Sequence, residues 1–258
     1  MSEREIILET IDMKKHFGEV KAVDGVSFKI RAGEVVALIG PNGAGKTTFV
    51  NIVTGYYNPD GGKIYYMGRD VTKASRIKKI KMGIARSFQL VNLYDDLTVL
   101  DNIRIAVLSR MGKTSIFWKT VEHFNEIKKE SYEILSTFGL AEKAPVPAKD
   151  LPQGERKILD VAIAFALKPK VLLLDEPTSG VSSKDKHAIM NKIIPAVRNE
   201  KIATMIIEHD MDIVFGYSDR VVVMYEGKIL AEGTPEEIKQ SKEVQEKLLG
   251  VGVSAAGS

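Results

Sequence analysis

The stretch Gly40–Thr48, GPNGAGKTT, sets the fold around which the rest of the chain must be built. It follows the continuous apolar run Val35–Ile39, which is typical of a buried central strand, and a helix is predicted from Lys46 to about Thr54. A G-x-x-x-x-G-K-[ST] loop in this context wraps phosphate groups. Its glycines let backbone N–H groups curl around an anion, and the helix N-terminus adds a favourable dipole. The sequence therefore predicts a nucleotide-phosphate site here.

Two side chains of the loop carry chemistry that a plain glycine-rich turn does not need. Lys46 supplies a mobile positive charge for the β- and γ-phosphates, and Thr47 offers a hydroxyl to Mg²⁺. The motif alone leaves kinases, GTPases and ATPases open, and a turn without a ligand is the structural alternative. The candidate nucleotide-binding residues of the loop are Asn42, Gly43, Ala44, Gly45, Lys46, Thr47 and Thr48.

A second candidate site lies where another apolar run ends in two acids. Val171–Leu174 is followed by Asp175 and Glu176. An aspartate at the end of a buried strand can hold Mg²⁺, and a neighbouring carboxylate can orient or deprotonate an attacking water. The alternative is a strand that simply ends in solvated acids. Together with the phosphate loop, the pair favours nucleotide hydrolysis.

The order of patterns along the chain predicts an α/β fold. Short alternating stretches near the start predict antiparallel strands, and buried strands alternating with helices predict a mainly parallel sheet. From about Leu90 to Asp150 the pattern becomes helical and charged. A capping box at Thr234 predicts a final helix that runs to about Leu249. We therefore expect an α/β core with its antiparallel subdomain (1–89 and 151–233), an inserted helical subdomain (90–150), and a C-terminal helix and tail (234–258).

Composition excludes several classes of protein. The 258 residues include no cysteine, so disulfides and cysteine-based zinc sites are ruled out. A net charge of +3 is weak evidence for a nucleic-acid surface. No apolar run approaches the ~20 residues that span a bilayer, and the polar start does not suit a signal peptide. We expect an intracellular protein whose membrane part, where one is needed, comes from a partner.

At this point the sequence resembles the ABC (ATP-binding cassette) ATPases over nearly its whole length. The resemblance implies the P-loop ATPase fold and hydrolysis of ATP with Mg²⁺. It rests on motifs whose order and separations fit the family: Gly40–Thr48, Gln89 in RSFQ, LPQGE at Leu151–Glu155, LDEPT at Leu174–Thr178, and His209 in IEHD.

The resemblance implies a role for each matching residue. Phe17 would stack on adenine, and Val23 would pack near the base and ribose. Gln89 would touch Mg²⁺ or the attacking water and relay its state to the helical subdomain. Glu176 would be the general base and His209 would contact the γ-phosphate, with Lys46 and Asp175 as described above. The structural alternatives are a core phenylalanine, a surface amide and a structural histidine.

Two motifs depart from the family pattern. The signature loop, usually Leu-Ser-Gly-Gly-Gln, caps the ATP of the other subunit in the family. Here the serine hydroxyl is lost, although a glycine survives; the candidate contacts are Pro152, Gln153, Gly154 and Glu155. Ser182 stands where the family often has an aspartate that links the two sites. Both changes put the strength of hydrolysis in question at a site that this chain's own signature completes.

Within the family, the chain is similar to the ATPases of branched-chain amino-acid importers. The implied partners are integral membrane permease subunits and a second ATPase, identical or homologous, in a nucleotide-sandwich dimer on the cytoplasmic face of the membrane. Leu90–Tyr94 is the predicted permease contact. The basic stretch Arg76–Lys81 is interpreted as a solvated helix face, and no nucleic acid is expected.

Three other functions stay open on the sequence alone. A soluble ABC ATPase acting on DNA or ribosomes would normally carry paired cassettes, a coiled coil or a zinc insertion. A regulatory module that binds nucleotide without turnover would suit the altered signature but not the intact Lys46, Asp175, Glu176 and His209. A phosphate-loop kinase would need an acceptor lid and would not need His209.

Overall fold

The computed structural model describes residues 4–87, 93–112 and 121–249. Contacts divide the chain into two compact units, the first made of residues 1–76 and 203–258 and the second of residues 77–202. The subdomain boundaries expected from the sequence remain a prediction. Among the described residues, no helix is both long and apolar enough to cross a bilayer.

Strands and helices follow one another along the chain largely as the sequence pattern indicates. The strands are β1 (Ile6–Phe17), β2 (Val20–Arg31), β3 (Val35–Ile39), β4 (Gly61–Tyr66), β5 (Arg69–Asp70), β6 (Ile84–Arg86), β7 (Val171–Asp175), β8 (Ala203–Ile207), β9 (Arg220–Tyr225) and β10 (Lys228–Gly233). The helices are α1 (Lys46–Thr54), α2 (Arg76–Met82), α3 (Val99–Arg110), α4 (Val121–Thr137), α5 (Gln153–Ala166), α6 (Ser183–Asn199), α7 (Met211–Tyr217), α8 (Pro235–Gln240) and α9 (Lys242–Leu249).

The first unit contains an antiparallel sheet in the order β2-β1-β4-β5. Alternate residues of β2 are buried, as the period-2 pattern predicts for a sheet with one solvated face. Phe28 on this buried face meets Phe49 of α1 edge to face, with ring centroids 5.9 Å apart. This contact fixes the helix that carries the phosphate loop against the sheet.

The same unit contains the strands β10-β9-β3-β8 side by side. The central strand β3 pairs in parallel with both β8 and β9, and all five of its residues are buried. The prediction of a buried parallel strand before the phosphate loop is therefore confirmed. Because β3 and β8 run in parallel, their carboxyl ends lie at the same edge of the sheet.

The second unit pairs β6 with β7 in parallel and packs helices around them. Helix α5 contacts α3, α4 and α6. Within this packing, the rings of Phe138 and Phe165 meet edge to face, with centroids 5.2 Å apart. Thr98 is the N-cap of α3, and its hydroxyl accepts a hydrogen bond from the Asp101 N–H.

The predicted final helix is broken into α8 and α9. The capping box at Thr234 is present as predicted. Ser241, however, adopts extended backbone angles (φ −69°, ψ 112°). Its hydroxyl accepts a hydrogen bond from the Val244 N–H at 3.4 Å. The prediction of one continuous helix to Leu249 is thus wrong, because the serine side chain caps a new helix start.

Helix α2 corrects the interpretation of the basic stretch as a uniformly solvated face. Lys78 and Lys81 are exposed as expected, whereas Lys79 is 1% exposed. Residues one position apart on a helix point about 100° apart, so one lysine of the run faces inward while its neighbours face solvent. Burial lowers the pKa of the Lys79 ammonium to about 8.

We expect the free energy of unfolding to be larger at alkaline pH, because there Lys79 is no longer a buried charge. The unfolded chain keeps the Lys79 proton well above pH 8, whereas the folded chain releases it there. The free energy of unfolding should therefore rise by about 2 kcal/mol between about pH 8 and about pH 10. Urea denaturation across this range measures the rise, and Lys79→Met should flatten it. An equally steep rise in the variant would assign the effect to another group.

Candidate functional site: a phosphate loop and an acidic turn

Three glycines of the phosphate loop meet different physical requirements. A Cβ on Gly40 would lie 2.2 Å from the Met224 carbonyl oxygen, and one on Gly45 would lie 2.1 Å from the Ala22 carbonyl oxygen. Gly43 faces open space, but its φ of +81° strains any other residue. The loop is thus packed from beneath by neighbouring backbone and left open on the side of Gly43.

Lys46 closes the loop on itself. Its Nζ donates hydrogen bonds to the carbonyl oxygens of Gly40, at 2.6 Å, and Pro41, at 2.9 Å. Helix α1 begins directly behind it, with no side-chain cap at Gly45 and no acidic residue in its first turn. Such a helix start, next to a lysine, favours an anionic group. Of the other loop residues, Asn42 and Thr47 are exposed, Thr48 is half-buried and Ala44 is buried.

A tight turn between β9 and β10, which is not among the predictions from the sequence, supports the loop. Glu226 and Gly227 both have positive φ, 46° and 76°, as a two-residue hairpin turn requires. The Gly227 N–H donates to the Ala44 carbonyl at 3.1 Å, and the Gly227 carbonyl accepts from the Asp24 N–H at 2.8 Å. The dipeptide Glu226-Gly227 between two strand patterns was the available signal for the turn, though not for its contact with the loop.

The candidate adenine-stacking residue lies at the end of β1. Phe17 is 45% exposed, which excludes the alternative that it belongs to the core. Its ring meets Tyr57 edge to face at 5.4 Å, and the Lys15 Nζ lies 5.6 Å from its centroid. Lys15 also pairs with Asp60 at 2.8 Å, and this hydrogen bond lowers the pKa of the Asp60 carboxyl. Val23 has no exposed surface, so in this structure it packs within the protein rather than presenting a face to a base.

His209 emerges directly after β8, at the sheet edge where β3 leads into the phosphate loop. It is exposed, whereas its neighbour Glu208 is 2% exposed and accepts a hydrogen bond from the His209 N–H at 3.2 Å. Asp210 then caps α7 by accepting from the N–H groups of Asp212 and Ile213. The backbone on both sides of the histidine is thus fixed, and its side chain reaches solvent.

In the second unit, Asp175 ends β7 and forms an ion pair with Arg86, which ends the adjacent strand β6. Both side chains are largely buried, with exposures of 7% and 11%. A buried carboxylate needs such compensation, because an isolated charge is strongly disfavoured away from water. The motif RSFQ contains Arg86 but indicates no role for it, because its partner lies across the strand pair.

Glu176 follows Asp175 in a strained conformation. Its φ is +47°, and it precedes Pro177. A non-glycine residue in the left-handed region costs about 1–3 kcal/mol and persists only where its surroundings hold it. A turn does so here, since the Ser179 N–H donates to the Glu176 carbonyl at 3.1 Å. Such strain is concentrated at functional sites.

The signature-like loop forms the start of α5 in the same unit. Pro152 is the N-cap, Pro152 and Gln153 are exposed, and Glu155 lies in the first turn. A Cβ on Gly154 would meet Ile189 at 3.6 Å, an ordinary contact, and Gly154 is not in the left-handed region. Neither packing within the unit nor backbone conformation therefore requires this glycine. Glu155 Oε2 is buried and has no hydrogen-bond partner among the described residues.

The structure does not describe every residue that the sequence predicts to be functional. Gln89 lies outside the described residues, as do residues 90–92 of the predicted permease contact. Next to that segment, Tyr94 is 56% and Leu97 39% exposed. Among the described residues no cluster of three His, Cys, Asp or Glu could hold a metal ion. Thr47 and Asp175 each carry a side-chain oxygen, the type of ligand that Mg²⁺ prefers, and Mg²⁺ is usually held by one or two protein ligands together with phosphates and water.

Comparison with known proteins agrees with this geometry. The family described as ABC transporter matches residues 23–179. The chain is 36% identical to the high-affinity branched-chain amino acid transport ATP-binding protein LivG of Salmonella typhimurium, over 95% of this chain and 98% of that protein. It is 35% identical to a probable branched-chain amino acid transport ATP-binding protein LivG of Methanocaldococcus jannaschii, over 90% of this chain and 91% of that one.

Solved structures show the same similarity. A nucleotide-free ATP-binding cassette from an ABC transporter superimposes with a TM-score of 0.82 at 33% identity, covering 96% of this chain and 99% of that one. A cassette in its ADP conformation gives 0.83 at 32% identity, covering 95% and 99%. With the phosphate loop and the acidic strand end already in place, these matches establish that the chain belongs to the ABC transporter family, as an ATP-binding subunit that hydrolyses ATP.

Proposed function

We propose that this ATPase powers the uptake of branched-chain or related amino acids through a membrane permease. The observation that carries the proposal is the complete phosphate loop, in which Lys46 stands at an uncapped helix start. The substrate class is supported by the names of the relatives, which match over nearly their whole length. The proposed location is the cytoplasmic face of the membrane, at which permease subunits supply the membrane-spanning part.

On this proposal the first unit holds the nucleotide. Adenine stacks on the exposed ring of Phe17, with Val23 packed beneath the surface, and the loop N–H groups and Lys46 bind the phosphates. Thr47 and Asp175 are the proposed Mg²⁺ ligands, and Gln89 is proposed to touch Mg²⁺ or the attacking water. When bound, Mg²⁺ neutralises charge on the phosphate oxygens. Binding it at Asp175 requires the Arg86 guanidinium to share or release the carboxylate.

Glu176 is the proposed general base and His209 the proposed γ-phosphate contact. The left-handed backbone fixes the direction in which the Glu176 side chain leaves the turn, and this direction aims the carboxylate of the proposed base. The exposed His209 side chain projects from a fixed backbone at the edge of the sheet that carries the phosphate loop. In this role His209 would stabilise transition-state charge on the phosphate.

A second ATPase subunit, identical or homologous, is proposed to complete the site through the signature loops. Gly154 supports this interpretation, because a glycine that its own unit does not need leaves room for close approach from outside. The departures from the family signature should weaken closure of the dimer, because Pro152 brings neither a hydroxyl nor an N–H. Ser182, at the position where the family often has an aspartate, caps α6 by accepting from the Asp185 N–H.

Steady-state hydrolysis of Mg·ATP at increasing chain concentration tests the proposal. We expect a rate that rises faster than linearly, because two half-sites must meet for turnover. ATP binding with negligible turnover at every concentration would assign the second site to a homologous ATPase or to the permease. A chain that neither binds nor hydrolyses ATP would contradict the proposal.

Uptake of radiolabelled amino acids tests the substrate class separately from ATP hydrolysis. Loss of the chain from its host should lower uptake of radiolabelled leucine, isoleucine and valine, and leave uptake of a sugar unchanged. Restoring the wild-type chain, but not a Lys46→Ala chain, should recover it. Unaltered leucine uptake would exclude the branched-chain assignment while leaving the ATPase assignment in place.

A further inference from the structure

A buried lysine joins the start of the signature helix to the turn that carries Glu176. Lys157 lies in the second turn of α5 and is 4% exposed. Its Nζ lies 3.0 Å from Ser179 Oγ and 3.5 Å from the Glu176 carbonyl oxygen. A buried ammonium is strongly disfavoured unless acceptors surround it, so these contacts hold Lys157 and the turn together.

The contacts fall on the two ends of one turn. Ser179 and Glu176 are already joined by the backbone hydrogen bond from the Ser179 N–H to the Glu176 carbonyl. Lys157 adds a charged donor to each end of this turn, and the turn keeps Glu176 at its φ of +47°. The lysine therefore supports the strained backbone of the candidate base from the side of α5.

Helix geometry makes this support a mechanical link. Lys157 follows Gln153, the first residue of α5, by four positions, or about 6 Å along the helix axis. A helix moves as a rigid body over such a distance, so a displacement of the signature loop carries Lys157 with it. Ser182 is not part of this link, because its side chain caps α6.

We propose that Lys157 is a positioning residue that transmits the state of this chain's signature loop to Glu176 of the same chain. The inference rests on the proposed function, in which the signature loop caps the nucleotide of a second subunit. Engagement at Pro152–Gly154 fixes α5, Lys157 holds the 176–179 turn, and Glu176 is set for proton abstraction. Disengagement loosens the turn and lowers the rate of hydrolysis.

Kinetics of Lys157→Met and Lys157→Arg test the role. We expect Lys157→Met to lower kcat about tenfold, because the base is misplaced in most turnovers, with KM for ATP and the chain concentration at half-maximal rate unchanged. Lys157→Arg should recover most of kcat, since it restores a buried cationic donor. Lys79→Met is the matched control, because Lys79 is another buried lysine of similar exposure and should leave kcat unchanged.

Ser179→Ala removes one acceptor while keeping the lysine. It should lower kcat about threefold alone and have little further effect in the Lys157→Met background, because both changes break one contact. Wild-type kcat in a folded Lys157→Met protein, or additive losses in the double variant, would overturn the proposal. Where Lys157→Met does not fold, wild-type kcat in Ser179→Ala overturns it.

Hydrogen exchange tests the link without relying on turnover. In the isolated chain, Lys157→Met should speed amide exchange of the segment 177–180 and leave the phosphate-loop helix unchanged, whereas Lys79→Met should not affect that segment. Unchanged exchange at 177–180 contradicts the inference even if the chain turns out not to hydrolyse ATP. A failure of the proposed function is seen separately, as absent turnover in the wild-type protein.

Discussion

Replacing Lys46 with alanine should weaken ATP binding by about a hundredfold or more. The Nζ of Lys46 already donates to two loop carbonyls, and with nucleotide present the same donors are expected to turn to phosphate oxygens. Each hydrogen bond to a charged group is worth about 1.5–3 kcal/mol, so two of them account for this loss. Titration with a fluorescent ATP analogue or calorimetry measures the change.

A matched control separates loss of the phosphate contact from a general loss of positive charge. Lys15 lies near Phe17 and pairs with Asp60, so Lys15→Ala removes one positive charge from the same unit without touching the loop. We expect it to weaken binding only a few-fold, through the side chain next to the ring. Equal losses in both variants would show that Lys46 acts through net charge rather than through the loop.

Changing Glu176 to glutamine should abolish turnover and leave binding intact. The amide matches the carboxylate in size but cannot accept a proton, and general base catalysis typically contributes roughly 100- to 10,000-fold. Because Glu176 is not part of the phosphate loop, the affinity for ATP should stay near that of the wild type. Phosphate release under saturating Mg·ATP, measured beside equilibrium binding, checks both halves of the expectation.

Glu226→Gln is the control for this change. Glu226 is also an acid with a left-handed backbone, at φ 46°, in the turn after β9. The same substitution there alters charge and strain in the same way but removes no proposed base, and turnover should persist. Unchanged turnover in Glu176→Gln would refute the base assignment, while loss in both variants would point to a backbone effect.

The parts of the fold that the sequence predicts are those in which one segment carries its own signal. Five consecutive apolar residues before a glycine-rich loop predict β3, and the lysine that closes the loop begins α1 as expected. The capping box at Thr234 likewise gives a helix start, because each of its hydrogen bonds lies within four residues. Local chemistry determines these elements, so a single sequence is enough to place them.

The parts that the sequence does not predict depend on partners distant along the chain. Nothing in the residues around Lys79 distinguishes it from Lys78, because only the tertiary packing decides which lysine of the run faces inward. The Arg86–Asp175 ion pair requires knowing that β6 and β7 are neighbours. Lys157 likewise reads as one more charge in a polar helix start until the turn at Glu176 is placed beside it. Sequence patterns indicate which residues carry chemistry, whereas tertiary contacts determine which groups hold those residues in place.

The turn at Glu226-Gly227 has a consequence for biosynthesis. The backbone that packs beneath Gly40 and bonds Ala44 comes from Met224 and Gly227, which follow the phosphate loop far along the chain. Contacts between such distant segments form late and slowly. A ribosome that has made the whole loop has therefore not yet made the backbone that holds it in shape, and we expect the emerging chain to acquire its nucleotide-binding conformation only after Gly227 has been made.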